Sequence, residues 1–313
     1  MRPAQKFETA VPDWAEYGLL DTGNGKKLER FGDFMLIRPE PQARWPVNLA
    51  AQRWEAAHGE FLKHAGMSGD WKFRKAIPER WSMRRKNLKF WVQPTPSGHL
   101  GVFPDQACHW DWMAGIVGPA SGPVKMLSLF GHTGLATLAA AAAGAHVTHV
   151  DASKKAVAWA RENQKLSCLG ECSIRWIVED ALTFVKREAR RGNRYDALML
   201  DPPKFGRGPD GEIWKLEESL PELLDACGKI LNTSPVFILL NVYTTVLTQG
   251  RADKEAEQLR SFLKKMPSAA HTTITAGELM IEDTAGKKIS ASVFARARST
   301  ESCLEMIESG RRL

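Results

Sequence analysis

Three aspartates close short apolar runs along this chain, and each sits where a nucleoside-like ligand could use it. Asp151 ends the run AHVTHV, and a carboxylate there can accept hydrogen bonds from two neighbouring ribose hydroxyls at once. Asp180 follows the run at residues 173–178 and is placed to accept from an exocyclic amine such as that of adenine. Asp201 opens the loop Asp201-Pro202-Pro203-Lys204-Phe205. Two consecutive prolines remove two N–H donors and fix φ, leaving rigid carbonyl acceptors beside a carboxylate. The Phe205 ring, a little further on, can stack on a flat base. The group suits holding a planar, amine-bearing or ring-nitrogen acceptor in line with an electrophilic methyl group, where positioning does most of the work. Each aspartate alone has a plainer reading: a solvated acid, a helix N-cap in the case of Asp180 ahead of Ala181, or a proline-rich turn. The three in series favour the ligand.

The elements that must carry these residues are legible around residues 124–151, VKMLSLFGHTGLATLAAAAAGAHVTHVD. An apolar strand over 124–130 runs into Gly131-His132-Thr133-Gly134, a tight turn where missing side chains let backbone N–H groups approach a ligand. The Ala- and Leu-rich stretch 135–143 makes a slim helix, and 146–150 the next strand. After Asp151 come helix 153–166, strand 173–178, helix 181–191, strand 195–200, helix 217–231, strand 235–240 and helix 252–266. Strands 272–281 and 287–297, joined by Glu282-Asp-Thr-Ala-Gly286, close the chain as a hairpin. This alternation predicts an α/β fold: a Rossmann-like, doubly wound, mostly parallel seven-stranded sheet with a C-terminal antiparallel hairpin. Such sheets bind ligands outside the carboxyl ends of their strands.

Residues 1–95 read as a small α+β domain, with a hairpin about Gly32, a helix over 46–66 and a strand pair 90–93 with 100–103. Residues 96–313 form the domain with the aspartates. The 313 residues carry a net charge of +7, and the window 71–91, WKFRKAIPERWSMRRKNLKFW, supplies all of it with eight basic residues against Glu79 alone. Cations interleaved with aromatic rings suit phosphates and unpaired bases, and Arg84, Arg85 and Lys86 are the densest cluster. For the tryptophans taken singly, a core role is the plainer reading. Five irregularly spaced cysteines fit a reducing cytoplasm, and Cys168 and Cys172 lack the partners of a metal site. No apolar run approaches the ~20 residues needed to span a bilayer.

From residue 101 to 297 the chain resembles the bacterial class I S-adenosylmethionine-dependent methyltransferases of large-subunit (23S) ribosomal RNA, whose members make 5-methylcytosine or 7-methylguanosine. The resemblance rests on GVFPDQ at 101–106, LFGHTG at 129–134, AHVTHVDASKKAVAWARENQKL at 145–166, EDA at 179–181 and DPPKFGRG at 201–208. It implies S-adenosyl-L-methionine as cofactor, held by Phe103, Gln106, Phe130, Gly131, Gly134, Asp151, Ala152, Asp180, Ala181 and Asp201. It places methyl transfer at Asp201, Pro202 and Phe205, makes RNA the partner and puts the protein in the cytoplasm. Two departures stand out. Ser128 replaces the acid usual in the first strand, and Leu239-Leu-Asn-Val-Tyr243 lacks the cysteine of the members that methylate cytosine carbon. Carbon-5 methylation needs a thiolate adduct and nitrogen methylation does not, so nitrogen is the expected acceptor. Three alternatives stay open: a methyltransferase of a small molecule or protein, a non-catalytic RNA-binding factor that keeps the pocket, and a nicotinamide enzyme, which the missing GxGxxG argues against.

Overall fold

The computed structural model describes residues 8–9, 14–64, 68–243, 251–266, 269 and 272–299. After a two-residue strand, β1 (Glu8–Thr9), the chain builds a sheet from β2 (Tyr17–Gly23), β3 (Lys26–Phe31) and β4 (Phe34–Pro39). One helical turn, α1 (Ala51–Glu55), precedes β5 (Gly59–Lys63) and β6 (Gly69–Phe73), giving the order β2-β3-β4-β5-β6. The basic window then folds into a hairpin of β7 (Trp81–Arg85) and β8 (Leu88–Val92).

Two expectations fail in this part. The helix over 46–66 shrinks to α1, because Phe61 pairs across the sheet with Trp71 at 5.3 Å between ring centroids. Gly59 also packs so closely on the Phe73 ring that a Cβ would lie 2.6 Å from it. These tertiary contacts outweigh a weak helical spacing. The pairing of 90–93 with 100–103 reduces to one bond, Gln93 N to Leu100 O at 3.1 Å, because β8 takes β7 as its partner.

A single turn of 3₁₀-helix (Pro104–Gln106) leads into α2 (Ala107–Val117) and the second sheet. Its units are β9 (Lys125–Leu129), α3 (Leu135–Ala142), β10 (His146–Asp151), α4 (Lys154–Leu166), β11 (Ile174–Val178), α5 (Ala181–Arg190) and β12 (Ala197–Leu200). A small hairpin, β13 (Phe205–Arg207) and β14 (Ile213–Lys215), interrupts the series. Then follow α6 (Leu216–Gly228), β15 (Phe237–Tyr243), α7 (Arg251–Lys265), β16 (Thr272–Glu282) and β17 (Lys288–Ser299). The order is β1-β16-β17-β15-β12-β9-β10-β11, with β17 antiparallel to both neighbours and the other pairs parallel. The doubly wound sheet of seven strands with its terminal hairpin is therefore present, β1 adding a short eighth.

Alternation along the central strands divides the core into two layers. Met126, Val147, Met199, Phe237 and Leu239 face the side of α2 and α3, whereas Leu127, Val150, Leu198, Leu200 and Ile238 face α5, α6 and α7. The N-terminal sheet joins the first layer: Trp14, Tyr17, Phe31, Met83 and Phe90 pack in one cluster with Met113, Met126 and Leu138. The hairpin is tied to α4 by Trp91 N to Asn163 Oδ1 at 2.9 Å, and by Ser167, whose Oγ accepts from Lys89 N at 3.0 Å and donates to Lys89 O at 2.6 Å. Near residue 95 the architecture changes while the core continues.

Candidate active site

The chain winds outward from β9 to β11 and then returns to β12 on the other side of β9, so the switch point lies between β9 and β12. Leu129 pairs with Val150 on one side and Leu200 on the other, and Leu200 pairs with Leu240. The next residues, Phe130, Asp151, Asp201 and Asn241, therefore stand in a row along the carboxyl edge. Asp180 lies two residues past Val178, which pairs with Asp151. All three aspartates share one rim of the sheet.

Asp151 is held by the backbone. Its Oδ2 accepts from His132 N and its Oδ1 from Ser153 N, both at 2.8 Å. Burial pushes this carboxyl up and the two N–H bonds oppose that shift. Each oxygen keeps a further lone pair for a hydroxyl, and Ala152 lies between Asp151 and Ser153 in the chain. In the glycine turn, Phe130, His132 and Gly134 take φ of 57°, 49° and 83°. Gly134 caps α3 with no side-chain bond to its first N–H groups, so an uncapped helix start faces the edge.

Gly131 is a glycine for a reason below the turn. A Cβ there would stand 2.3 Å from Cε1 and 2.4 Å from Nδ1 of His149. That ring is buried, bonds Thr137 Oγ1 through Nδ1 at 2.9 Å and packs on Trp176 at 4.6 Å. Gly131→Ala must displace it, and an overpacked core contact of this kind costs about 1–3 kcal/mol. We expect a lower denaturation midpoint with an unchanged m-value in urea unfolding; an unaltered midpoint would show that the ring moves freely.

The loop GVFPDQ folds back over this turn. Thr133 Oγ1 donates to Gly101 O at 2.5 Å, and the His132 ring meets His99 and Phe103 at 5.1 and 5.5 Å. Burial lowers His99 to about 3 and His132 to about 4, so both rings are neutral at physiological pH. Gln106 is buried, and its Oε1 has no hydrogen-bond partner among the described residues, an orphaned acceptor that a ligand N–H would satisfy.

Asp180 does cap α5, with Oδ1 accepting from Thr183 N at 2.8 Å ahead of buried Ala181. Capping occupies one oxygen and leaves the other. Asp201 is half-buried, and its Oδ1 accepts from Asn241 Nδ2 at 2.7 Å. Burial pushes its carboxyl up to about 7, Asn241 opposing and Asp105 adding to the shift. Of the two proline carbonyls, that of Pro203 is committed to Trp214 Nε1 at 2.6 Å. Trp214 also packs on Phe130 at 4.8 Å, pinning the proline loop to the glycine turn. Phe205, Tyr243 and Phe103 are 55%, 54% and 38% exposed, giving the rim three open aromatic faces.

Asp105 was not singled out by the sequence. It is buried and pushed up to about 6, with Lys27 of β3 and Arg38 of β4 opposing the shift. The N-terminal sheet therefore contributes charge to this edge. The basic cluster is divided by strand alternation: in β7, Trp81, Met83 and Arg85 point inward. Arg85 is buried and bidentate to Asp111, both bonds 2.7 Å, with its guanidinium over Trp14 and Trp110. Its expected place on an RNA-facing surface is thereby corrected. Lys86 reaches the same Asp111 at 2.9 Å but is exposed, as is Arg84.

Comparison with known proteins adds five findings. Residues 112–216 match the family model described as "Conserved hypothetical protein 95". The ribosomal RNA large subunit methyltransferase K of Neisseria meningitidis serogroup B is 23% identical over 237 residues, 70% of this chain and 63% of that protein. The methyltransferase K/L of Shewanella frigidimarina is 30% identical over 128 residues, 40% of this chain and 18% of that protein. This chain thus spans less than two thirds of either relative. The crystal structure of an S-adenosylmethionine-dependent methyltransferase from Agrobacterium tumefaciens superposes with a TM-score of 0.85 at 39% identity, covering 95% of this chain and 94% of that one. A structure from Streptococcus mutans at 18% identity, TM-score 0.67, covering 92% and 76%, agrees in fold alone.

Proposed function

This chain belongs to the S-adenosylmethionine-dependent methyltransferases, and from that premise we propose that it methylates a nitrogen of a large-subunit ribosomal RNA base. The observation that carries the reading is the row of Asp151, Asp180 and Asp201 along the carboxyl edge, flanking the switch point. Asp151, with Ala152 beside it, would hold the ribose, and Asp180 with Ala181 the adenine. The uncapped start of α3, Phe130, Gly131 and Gly134 would take the methionine end, and the orphaned Gln106 Oε1 its ammonium, under the cover of Phe103. When bound, S-adenosylmethionine supplies a methyl group that an acceptor's lone pair captures as the S–C pair returns to sulfur. The neutral His99 and His132 place no competing cation beside a positive sulfonium.

Asp201 accepts from the N–H groups of the acceptor base, Pro202 offers the free carbonyl of its pair, and Phe205 and Tyr243 present faces for stacking. Nitrogen is favoured over carbon because Cys108 of α2 and Cys227 of α6 are otherwise engaged. Cys108 Sγ lies on Asp105 O at 3.4 Å and Cys227 is sealed in the core, its thiol pushed up by burial. Residues 1–95 act as the RNA-facing part, through Arg84 and Lys86 rather than Arg85. A ribosomal substrate carries a cytoplasmic location with it; among the described residues no helix is long and apolar enough to cross a membrane. The names of the Neisseria and Shewanella relatives support the ribosomal substrate.

The test compares modified nucleosides in rRNA from cells with and without the gene. One methylated nucleoside should vanish from large-subunit rRNA and return when the purified protein and S-adenosylmethionine are added. Loss of no rRNA nucleoside, with cofactor binding intact, would turn the reading toward a small-molecule or protein acceptor.

A further inference from the structure

Behind Asp201 runs a buried chain of polar side chains that spans three elements. Arg296 of β17 bonds His109 Nδ1 of α2 through Nε at 3.1 Å and Nη2 at 2.5 Å. His109 Nε2 meets Asn241 Oδ1 of β15 at 3.2 Å, Ser292 Oγ donates to that same oxygen at 2.9 Å, and Asn241 Nδ2 donates to Asp201 Oδ1. Arg296, His109, Asn241 and Ser292 are each at most 3% exposed.

The chain has only one consistent set of protons. Arginine cannot accept, so His109 Nδ1 must be the bare nitrogen and Nε2 must carry the hydrogen. Nε2–H then donates to Asn241 Oδ1, which already accepts from Ser292, so the amide cannot flip without facing two donors. Its Nδ2–H is thereby aimed at Asp201 Oδ1. Burial and the neighbouring Arg296 hold His109 well below its ordinary range, in keeping with a bare Nδ1.

We infer that Arg296, His109 and Asn241 form a positioning relay that fixes the orientation of the Asp201 carboxylate, holding Oδ1 on the Asn241 amide and leaving Oδ2, which has no hydrogen bond among the described residues, to accept from the methyl-accepting base. The inference rests on the proposed methyl transfer at Asp201 and assigns work to residues that touch neither cofactor nor acceptor. The other charged groups facing this corner are Asp105, and beyond it Lys27, Glu29 and Arg38 from β3 and β4. Lys27 pairs with Glu40 and Arg38 with Glu29, so neither cation is free to take the place of Asn241. A directional donor is what the relay adds to a purely electrostatic corner.

Two readouts test it. Long-range ¹H–¹⁵N spectra of the full chain labelled in histidine should show His109 as the Nε2–H tautomer, unchanged across neutral pH. A titrating His109, or a hydrogen on Nδ1, overturns the relay whatever the substrate proves to be. Methyl transfer to rRNA from cells lacking the gene supplies the second. Asn241→Ala and His109→Phe should lower kcat by about 100-fold, the scale of a misplaced reacting group, with S-adenosylmethionine affinity unchanged. His109→Gln, which can accept from Arg296 and donate to Asn241, should recover much of the rate. It also guards against loss of folding in the phenylalanine variant. Equal rates in His109→Phe and the parent overturn the inference, as does a His109→Gln variant that folds but is no better than His109→Phe.

Discussion

Asp201→Asn should lower kcat for methyl transfer to rRNA by at least about 100-fold while S-adenosylmethionine affinity stays within a factor of about three, the span expected when a positioned proton acceptor is lost. Asn241 already donates to Oδ1 at this position. An asparagine at 201 would turn its own oxygen toward that donor and present its NH₂ to the base, donor against donor. The cost falls on the acceptor, since the groups proposed for the ribose and methionine ends are untouched. Parent and variant should also differ in pH dependence. The Asp201 carboxyl is pushed up to about 7, chiefly by burial, so its protonated form prevails below that value, and with Oδ1 accepting from Asn241 its O–H on Oδ2 sets a donor where the base needs an acceptor. The parent rate should therefore climb as pH rises through about 7, and the climb should be missing from the residual activity of the asparagine variant. Single-turnover rates across neutral pH decide the matter; a parent profile that is flat there would remove Asp201 from the acceptor role.

Asp151→Ala should weaken S-adenosylmethionine binding by about 100-fold, the equivalent of about 3 kcal/mol, measured by calorimetric titration. The carboxylate is preorganised by two backbone N–H groups, from His132 and Ser153, and its remaining lone pairs face the edge. Two hydrogen bonds to a charged acceptor are worth about 1.5–3 kcal/mol each, and alanine forfeits both. It also leaves the His132 and Ser153 N–H groups to water, so far-UV circular dichroism must show that the fold persists. Affinity within a factor of about three of the parent would move the ribose elsewhere and break the row of aspartates as a cofactor site.

How much of this was readable in advance depended on whether the determining contacts were local. Asp151 ends β10, and Asp180 and Asp201 follow β11 and β12 within two residues, so an apolar run and an acid at its end were enough to place them on one edge. The Asp180 N-cap is likewise a matter of three residues. By contrast, Arg85 looks like its neighbours Arg84 and Lys86 until the pairing of β7 with β8 decides which residues point inward. The helix expected over 46–66 failed because Phe61 finds Trp71, a contact across the N-terminal sheet. Asp105 and His109 sit on a short turn and the helix after it, and their meaning comes from Lys27, Asn241 and Arg296, up to 187 positions away. The two glycines of the turn were expected for the same cause, yet Gly131 answers to the His149 ring and Gly134 to its own φ of 83°. A glycine pattern read as space for a ligand was partly space for the protein itself.

The stapling of β8 to α4 and its C-cap, through Asn163 and Ser167, ties the basic hairpin to the helix that follows Asp151. An enzyme whose grip and reacting edge are rigidly linked works like a caliper. With the RNA proposed as substrate and the hairpin as its grip, it would admit a folded RNA only when a phosphate run and an unstacked base lie as far apart as grip and edge, so geometry would screen candidates before any base edge is read. Lengthening the connection would not loosen this, since the strap is bolted along the helix rather than hung from a linker.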